Sequence, residues 1–366
     1  MTAGWRTILT MVLAALAVLA ACAPAGAPSG GAAKPAASAP SGAALAQPAG
    51  APSGAAPAAQ PATPPQPVNL DYAITSWLSV NLIDMVALDK GFFAAEGLNV
   101  EIILSETSVR GTTILVGGSA DLSNNSPDST IIAVEKGADL AVVAEEIARP
   151  VYSLIAQSNI KSVPELRGQK VAVSDLKSGA TLILLRTLRH GGLRESEVDI
   201  VPVGGTPARY AALKANAVAA GAMLQPDDFR AMDEGFSRIA VSTQAVPAYT
   251  FSTVNVRRQW AREHADDLVR FIRAYRRAVD WLYDPANKQE LIRVLAERTK
   301  QDERFARLTY ELVVEQERSV SEQARIRPEG LQAVIELLAE SGELSAPLPP
   351  PEKYVDTSYW ERAQPR

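Results

Sequence analysis

The sequence predicts an α/β protein of two α/β lobes, each built on a largely parallel sheet, with a helical C-terminal part. Three observations predict it. Short apolar strands alternate with helical stretches from Leu70 to Ala144, in the order βαβαβαβ. The same alternation restarts at Gln169 and runs through Met223, as a second lobe inserted within the first. Beyond Val241 the chain changes character and becomes mostly helical.

In the first alternation, Leu70–Ile74 reads as a strand. Leu82, Met85, Val86 and Asp89 recur at helical spacing within Val80–Asp89. Gly91 can end that helix in the left-handed conformation. Val100–Leu104 is a strand, Val109–Val116 a short helix and Ala120–Ser123 a short strand. A helix follows Pro127, and Leu140–Ala144 is the last strand of the unit. In the second, Gln169–Val173 is a strand, and Gly179–His190 is a helix capped by Gly191. Asp199–Val203 is a strand. Thr206 and Pro207 open the next helix, as N-cap and first-turn residue. Ala219–Met223 is a strand, and Gln225-Pro226 opens another helix. Tyr249–Asn255 is extended. Arg258–Tyr283 reads as one long helix on which Leu268, Phe271, Ile272, Tyr275, Val279 and Leu282 form an apolar stripe. Asp284-Pro285 stops it, and helical stretches follow at Leu291–Ala296 and Leu331–Leu338.

The N-terminus predicts export. Arg6 precedes an apolar run from Ile8 to Leu19, which ends in Leu19-Ala20-Ala21-Cys22. A basic start, a short apolar stretch and small residues before a cut form a signal peptide. A membrane-spanning helix would need about 20 apolar residues. Cys22 is the only cysteine, so no intramolecular disulfide can form. Its place after Ala-Ala resembles the bacterial lipobox, in which the cysteine carries the lipid. From Ala23 to Pro67 the chain is almost all Ala, Pro, Gly and Ser, with Lys34 as its only charge. Such a segment buries too little apolar area to offset its ordering entropy. As an extended polyproline tether it could reach roughly 140 Å. The formal charge of −5 argues against nucleic acid, which wants a basic surface.

Several runs then resemble the nitrate/sulfonate/taurine/thiamine-precursor family of ABC-importer solute-binding proteins. They are Leu88–Glu101, Val116–Asp121, Glu135–Asp139, Ser162–Val173 and Arg273–Trp281, and the likeness covers most of residues 68 to 340. At Asn216–Ala220 the chain lacks the acidic residue that relatives carry in this turn. The resemblance implies a periplasmic-binding-protein-like type II fold. Two crossing segments, near Tyr152–Ile155 and Tyr249–Ser252, would join the lobes, with the ligand in the cleft between them. The domain layout follows: signal peptide 1–21, lipidated Cys22 and disordered linker 22–67, lobe I at 68–152 and 252–345, lobe II at 153–251, and a tail at 346–366.

In open α/β sheets ligands lie beyond the carboxyl ends of the strands, and helix N-termini there suit anions. That rule selects Thr75, Ser76 and Trp77, with core packing as the other reading of Trp77. It selects Asn124, Asn125 and Ser126, which could instead only cap a helix. In the second lobe it selects Lys177, Ser178, Gly179, Thr181, Thr206 and Gln225. Tyr249 lies at the second crossing, as ligand contact or hinge packing. Arg110 and Arg209 could reach an anion, but their helical contexts assign both to solvated faces.

No cofactor or metal is expected. The two histidines, His190 and His264, fit no catalytic constellation, and there is no nucleophile elbow, Walker A loop or zinc spacing. The His- and Cys-rich motifs of pyrimidine-making relatives are also missing. The expected protein is therefore a non-enzymatic, monomeric, lipid-anchored binder in a periplasm or on the outer face of a cell membrane. It would capture a small solute, tilted toward an organic anion of the sulfonate, nitrate or taurine kind, and deliver it to an ABC permease and its ATPase. Pyrimidine precursors, flavins and aromatic carboxylates remain open as ligands. A ligand-presenting subunit of a membrane sensor is the alternative.

Overall fold

The computed structural model describes residues 67–364. The expected signal peptide, Cys22 and the linker up to Gln66 lie outside the described residues.

Two five-stranded mixed sheets carry the fold. The first takes β1 (Val68–Ile74), β2 (Leu98–Leu104), β3 (Leu122–Asn125), β4 (Leu140–Ile147) and, from far along the chain, β10 (Ser252–Arg257). Its order is β2-β1-β3-β10-β4, with β10 antiparallel to both neighbours. The second takes β5 (Ser153–Ala156), β6 (Lys170–Val173), β7 (Asp199–Pro202), β8 (Ala220–Met223) and β9 (Ser237–Val241). Its order is β7-β6-β8-β5-β9, with β5 antiparallel to β8 and β9. Each sheet thus repeats one plan: parallel strands, and one antiparallel strand in the fourth place that arrives directly from the other lobe. The largely parallel expectation missed these two strands. Ser153–Ile155, expected in a crossing, belongs to β5, and the passage between sheets is Ala148–Tyr152.

Helices α1 (Leu82–Asp89), α2 (Phe92–Ala95), α3 (Ser108–Val116) and α4 (Pro127–Glu135) connect the first sheet. Gly91 is left-handed, with φ 66°, between α1 and α2. The second sheet is connected by α5 (Gly179–His190), α6 (Thr206–Lys214) and α7 (Asp227–Asp233). One expected cap differs: Gly205, not Thr206, is the N-cap of α6, and the Thr206 hydroxyl accepts from Arg209. Gly191 is the C-cap of α5 as expected, and Gly192 after it is left-handed.

The expected helix Arg258–Tyr283 is two: α8 (Arg258–Glu263) and α9 (Ala265–Tyr283). The break lies at His264, whose ψ of 35° departs from the helix while its ring stacks on buried Trp260. The predicted stripe on α9 is buried throughout, and Phe271 packs against Tyr72, Phe93 and Tyr275. Then come α10 (Lys288–Thr299), α11 (Glu303–Tyr310), α12 (Pro328–Glu340) and α13 (Ser358–Arg362). The chain around Ala346–Leu348 is exposed, but the tail beyond it is not a loose surface segment. Tyr354 and Ala363 are buried, and Val355 bridges to Val142 on the outer edge of β4. That edge strand would otherwise offer unpaired backbone groups.

The two passages between the sheets run side by side. Ser242 donates its N–H to Tyr152 O and its hydroxyl to Pro150 O. Tyr152 and Phe251, one from each passage, pack edge to face at 5.5 Å. Beneath them lies an ion pair whose carboxylate is buried and whose arginine is half-buried. Glu145, at the end of β4, accepts from Arg327 Nε at 3.0 Å and from the hydroxyls of Thr250 and Ser321. Arg327 also donates to Ala148 O at 2.7 Å. A side chain from the C-terminal region therefore fixes the base of both passages.

Candidate ligand-binding cleft

A cavity with ≈ 500 Å³ of atom-free space, part of it open to solvent, lies between the two sheets. Its walls come from the carboxyl ends of strands in both lobes, where the α/β rule places ligands. From the first lobe, Thr75 and Ser76 follow β1, Glu106, Thr107 and Ser108 follow β2, Asn125 ends β3 and Ser126 follows it. From the second, Ser174 follows β6, Gly205 and Thr206 follow β7, and Leu224 follows β8. Tyr152 and Phe251 line it from the passages, and Ser252 from the start of β10.

Of the residues selected from sequence, Thr75, Ser76, Asn125, Ser126 and Thr206 therefore face this cavity. The others are placed elsewhere. Trp77 is half-buried beneath the Arg298 guanidinium, 5.4 Å from its ring centre. Asn124 is committed below the floor. Its amide nitrogen donates to Asp84 and Glu146, and its oxygen accepts from Ser252. Burial pushes both carboxyls up, and repulsion from Asp84 carries Glu146 well above its ordinary range. Tyr72 donates to Asp84 and Tyr275 to Glu146. Gln225 is fully buried and bonds across the lobes, accepting the Ser79 N–H and hydroxyl, each at 3.0 Å. Lys177 is exposed and paired with Glu343 at 2.9 Å. Tyr249 is buried beside Phe251, its hydroxyl without a hydrogen-bond partner among the described residues.

The start of α5, expected to receive an anion, is occupied from within the chain. Ser178 caps the helix, and Thr181 donates to Asp175 O. The Gly179 N–H donates to the Asp128 carboxylate of the first lobe at 2.6 Å. Asp128 also accepts from the Ser126 hydroxyl and is wholly buried. Burial raises its pKa to about 6, with Asp175 adding repulsion against the hydrogen bonds that lower it. A raised carboxyl pKa means that the closed form holds the proton more tightly than an opened, solvated one. The penalty of burying the charge is thus complete above pH 6 and fades as pH falls from about 6 to 4. The rise from 3.8 to about 6 corresponds to roughly 3 kcal/mol. Closure, followed by fluorescence transfer between dyes on the two lobes, should become easier between pH 7 and 4.5. The Asp128→Asn variant should show a shallower profile. Equal slopes would remove Asp128 from the explanation.

Sequence reasoning missed two cavity walls. Thr107 and Ser108 obey the same strand-end rule as Thr75, applied to β2, so that signal was present. Arg209 had no such signal. Assigned to a solvated face, it is instead 2% exposed and turned into the lobe, because α6 packs its face against β8. Arg110 does lie on an exposed face, paired with Glu106.

The two sheets and the cleft between them make a two-lobed fold of the periplasmic-binding-protein kind. The profile of proteins described as NMT1/THI5 like matches residues 81–288, more than half of the chain, and the protein belongs to that family. The riboflavin-binding protein RibY of Chloroflexus aurantiacus is 29% identical over 126 residues, which are 33% of this chain and 36% of that one. The match thus spans about a third of that relative. Two solved structures share the fold. The alkanesulfonate-binding protein SsuA from Xanthomonas axonopodis pv. citri, bound to MOPS, has a TM-score of 0.68 at 18% identity, covering 80% of this chain and 99% of its own. The nitrate-binding protein NrtA from Synechocystis PCC 6803 has a TM-score of 0.69 at 15% identity, covering 81% and 88%. At these identities the likeness is one of fold alone. The desulfurization enzyme DSZB also shares it, with a TM-score of 0.60 at 14% identity and coverage of 81% and 98%. The fold by itself therefore does not separate binders from enzymes.

Proposed function

We propose that the protein is the extracytoplasmic substrate-binding component of an ABC importer. It captures a small solute between its lobes and delivers it to a permease and its ATPase. It acts as a monomer, is exported, and is held at the membrane by a lipid on Cys22, with residues 23 to 67 as the tether. The observation that carries the reading is the cavity of mixed polar and apolar lining at the strand ends of both sheets, beside two adjacent passages about which the lobes can hinge. Family membership and the nitrate- and alkanesulfonate-binding fold neighbours support it. Binding without catalysis fits the lining, since His190 ends α5 and His264 stacks on Trp260, both away from the cavity.

The test is solute-dependent closure. Full-length protein stripped of bound solute is titrated with alkanesulfonates, nitrate, aromatic carboxylates, a hydroxymethylpyrimidine and riboflavin, while small-angle scattering records its radius. One solute should contract the particle and raise its thermal midpoint, by about 2.7 kcal/mol of stabilisation at 100 times its Kd. A particle that neither contracts with any of them nor retains a solute on purification would sink the reading.

A further inference from the structure

The geometry points to Arg209 as the anion anchor of the cleft, gripping the acidic head of a small organic acid. This rests on the solute-capture reading above and adds the residue and the polarity of the ligand.

Arg209 lines the cavity yet is 2% exposed. Three neutral oxygens hold it. Nε donates to Ala222 O at 2.7 Å, Nη1 to Gly204 O at 2.6 Å and Nη2 to Thr206 Oγ1 at 3.0 Å. These bonds fix the plane of the fork without neutralising its charge. Among the described residues no carboxylate stands within ion-pair distance of it. Asp175 and Asp227 act on it only through space, and the Tyr152 phenol stands beside it. A buried charge without a counter-ion is costly. The guanidinium has more N–H groups than those three bonds use. Its planar fork matches two oxygens of a carboxylate or sulfonate.

The other positive feature of the cleft is closed to a ligand. The start of α5 already holds the Asp128 carboxylate on the Gly179 N–H, and a second anion there would meet that charge. The acid head is thereby directed to α6. Thr206 and Ser108 supply hydroxyls near it, while Leu78, Val80, Leu224 and Phe251 offer an apolar wall for a short hydrophobic body.

The experiment compares acids with their neutral counterparts by calorimetry on the full-length protein. The probes are benzenesulfonate and benzenesulfonamide, benzoate and benzamide, butanesulfonate, and riboflavin. At least one acid should bind 30-fold or more tightly than its amide. Arg209→Gln should weaken that acid 100-fold or more and bring the ratio toward one. Arg209→Lys, which keeps the charge but loses the fork, should fall between. Arg262→Gln, which alters an exposed arginine paired with Asp139 and outside the cavity lining, should leave the ratio unchanged. Circular dichroism checks folding, and if the Arg209 variants do not fold, the acid-to-amide ratio of the wild type decides alone. A ratio below threefold overturns the proposal. So does tight riboflavin binding that a folded Arg209→Gln leaves intact, although solute capture then stands. Failure of every probe, with no solute co-purifying by native mass spectrometry, overturns the capture reading and this proposal together.

Discussion

Gly179→Ala is expected to hold the lobes apart and to lower solute affinity at least tenfold, without unfolding the protein. Gly179 is the first residue of α5 and lies across the cleft from the end of β3 and the start of α4. A Cβ on it would stand 2.5 Å from the Ser126 hydroxyl oxygen and closer still to Asp128 Oδ1. Both partners are buried and hydrogen-bonded to each other, so neither can swing aside cheaply. The second lobe itself has no reason to object. Gly179 has no left-handed φ, and alanine favours a helix over glycine by about 1 kcal/mol. The variant therefore separates closure from folding. Its thermal midpoint without solute should hold or rise, its scattering radius should grow, and solute should no longer contract it. If affinity and contraction both persist, the lobes do not meet at Asp128 when they close.

The second large effect concerns the base of the passages. Arg327→Met leaves Glu145, which is 0% exposed, without its cation. Burial already pushes the Glu145 carboxyl up even with Arg327 present. Removing one partner of a buried pair typically costs about 3–5 kcal/mol. For a folded body of about 300 residues, 3 kcal/mol lowers the thermal midpoint by roughly 5 °C. The double change Glu145→Gln with Arg327→Met should recover much of that loss, since the isolated charge is then gone. Because Thr250 and Ala148 share these partners, the single variant should also bind solute more weakly. A midpoint within about 2 °C of wild type would mean that solvent reaches Glu145 and that the pair adds little.

How far the sequence could be read follows from where each signal resides. Strands such as Val100–Leu104 and Leu140–Ala144 announce themselves by composition, and the α9 stripe by spacing. The antiparallel strands β5 and β10 do not, because alternation of strand and helix implies parallel neighbours and says nothing of a strand inserted from elsewhere. The π-helical segment Glu311–Gln316 that continues α11 has no recognisable pattern. In the cleft, the strand-end rule finds Thr75, Ser76, Ser126 and Thr206, because it needs only local order. It places an anion at α5 for the same reason, and cannot see that Asp128, 51 residues earlier, fills that place. Arg209 is the converse case. Nothing in Thr206–Lys214 shows which face of the helix turns inward, since its apolar residues are mostly alanine.

The position of β10 also fixes an order of assembly. Everything in the second sheet lies between Ser153 and Val241, one continuous stretch that can pair as soon as it exists. The first sheet cannot: β3 and β4 have no partner between them until Ser252–Arg257 arrives, and the edge of β4 waits for Val355. Contacts so distant in sequence form slowly. On a chain that emerges N-terminus first, the inserted lobe completes early, and the lobe that begins the sequence is the last to close.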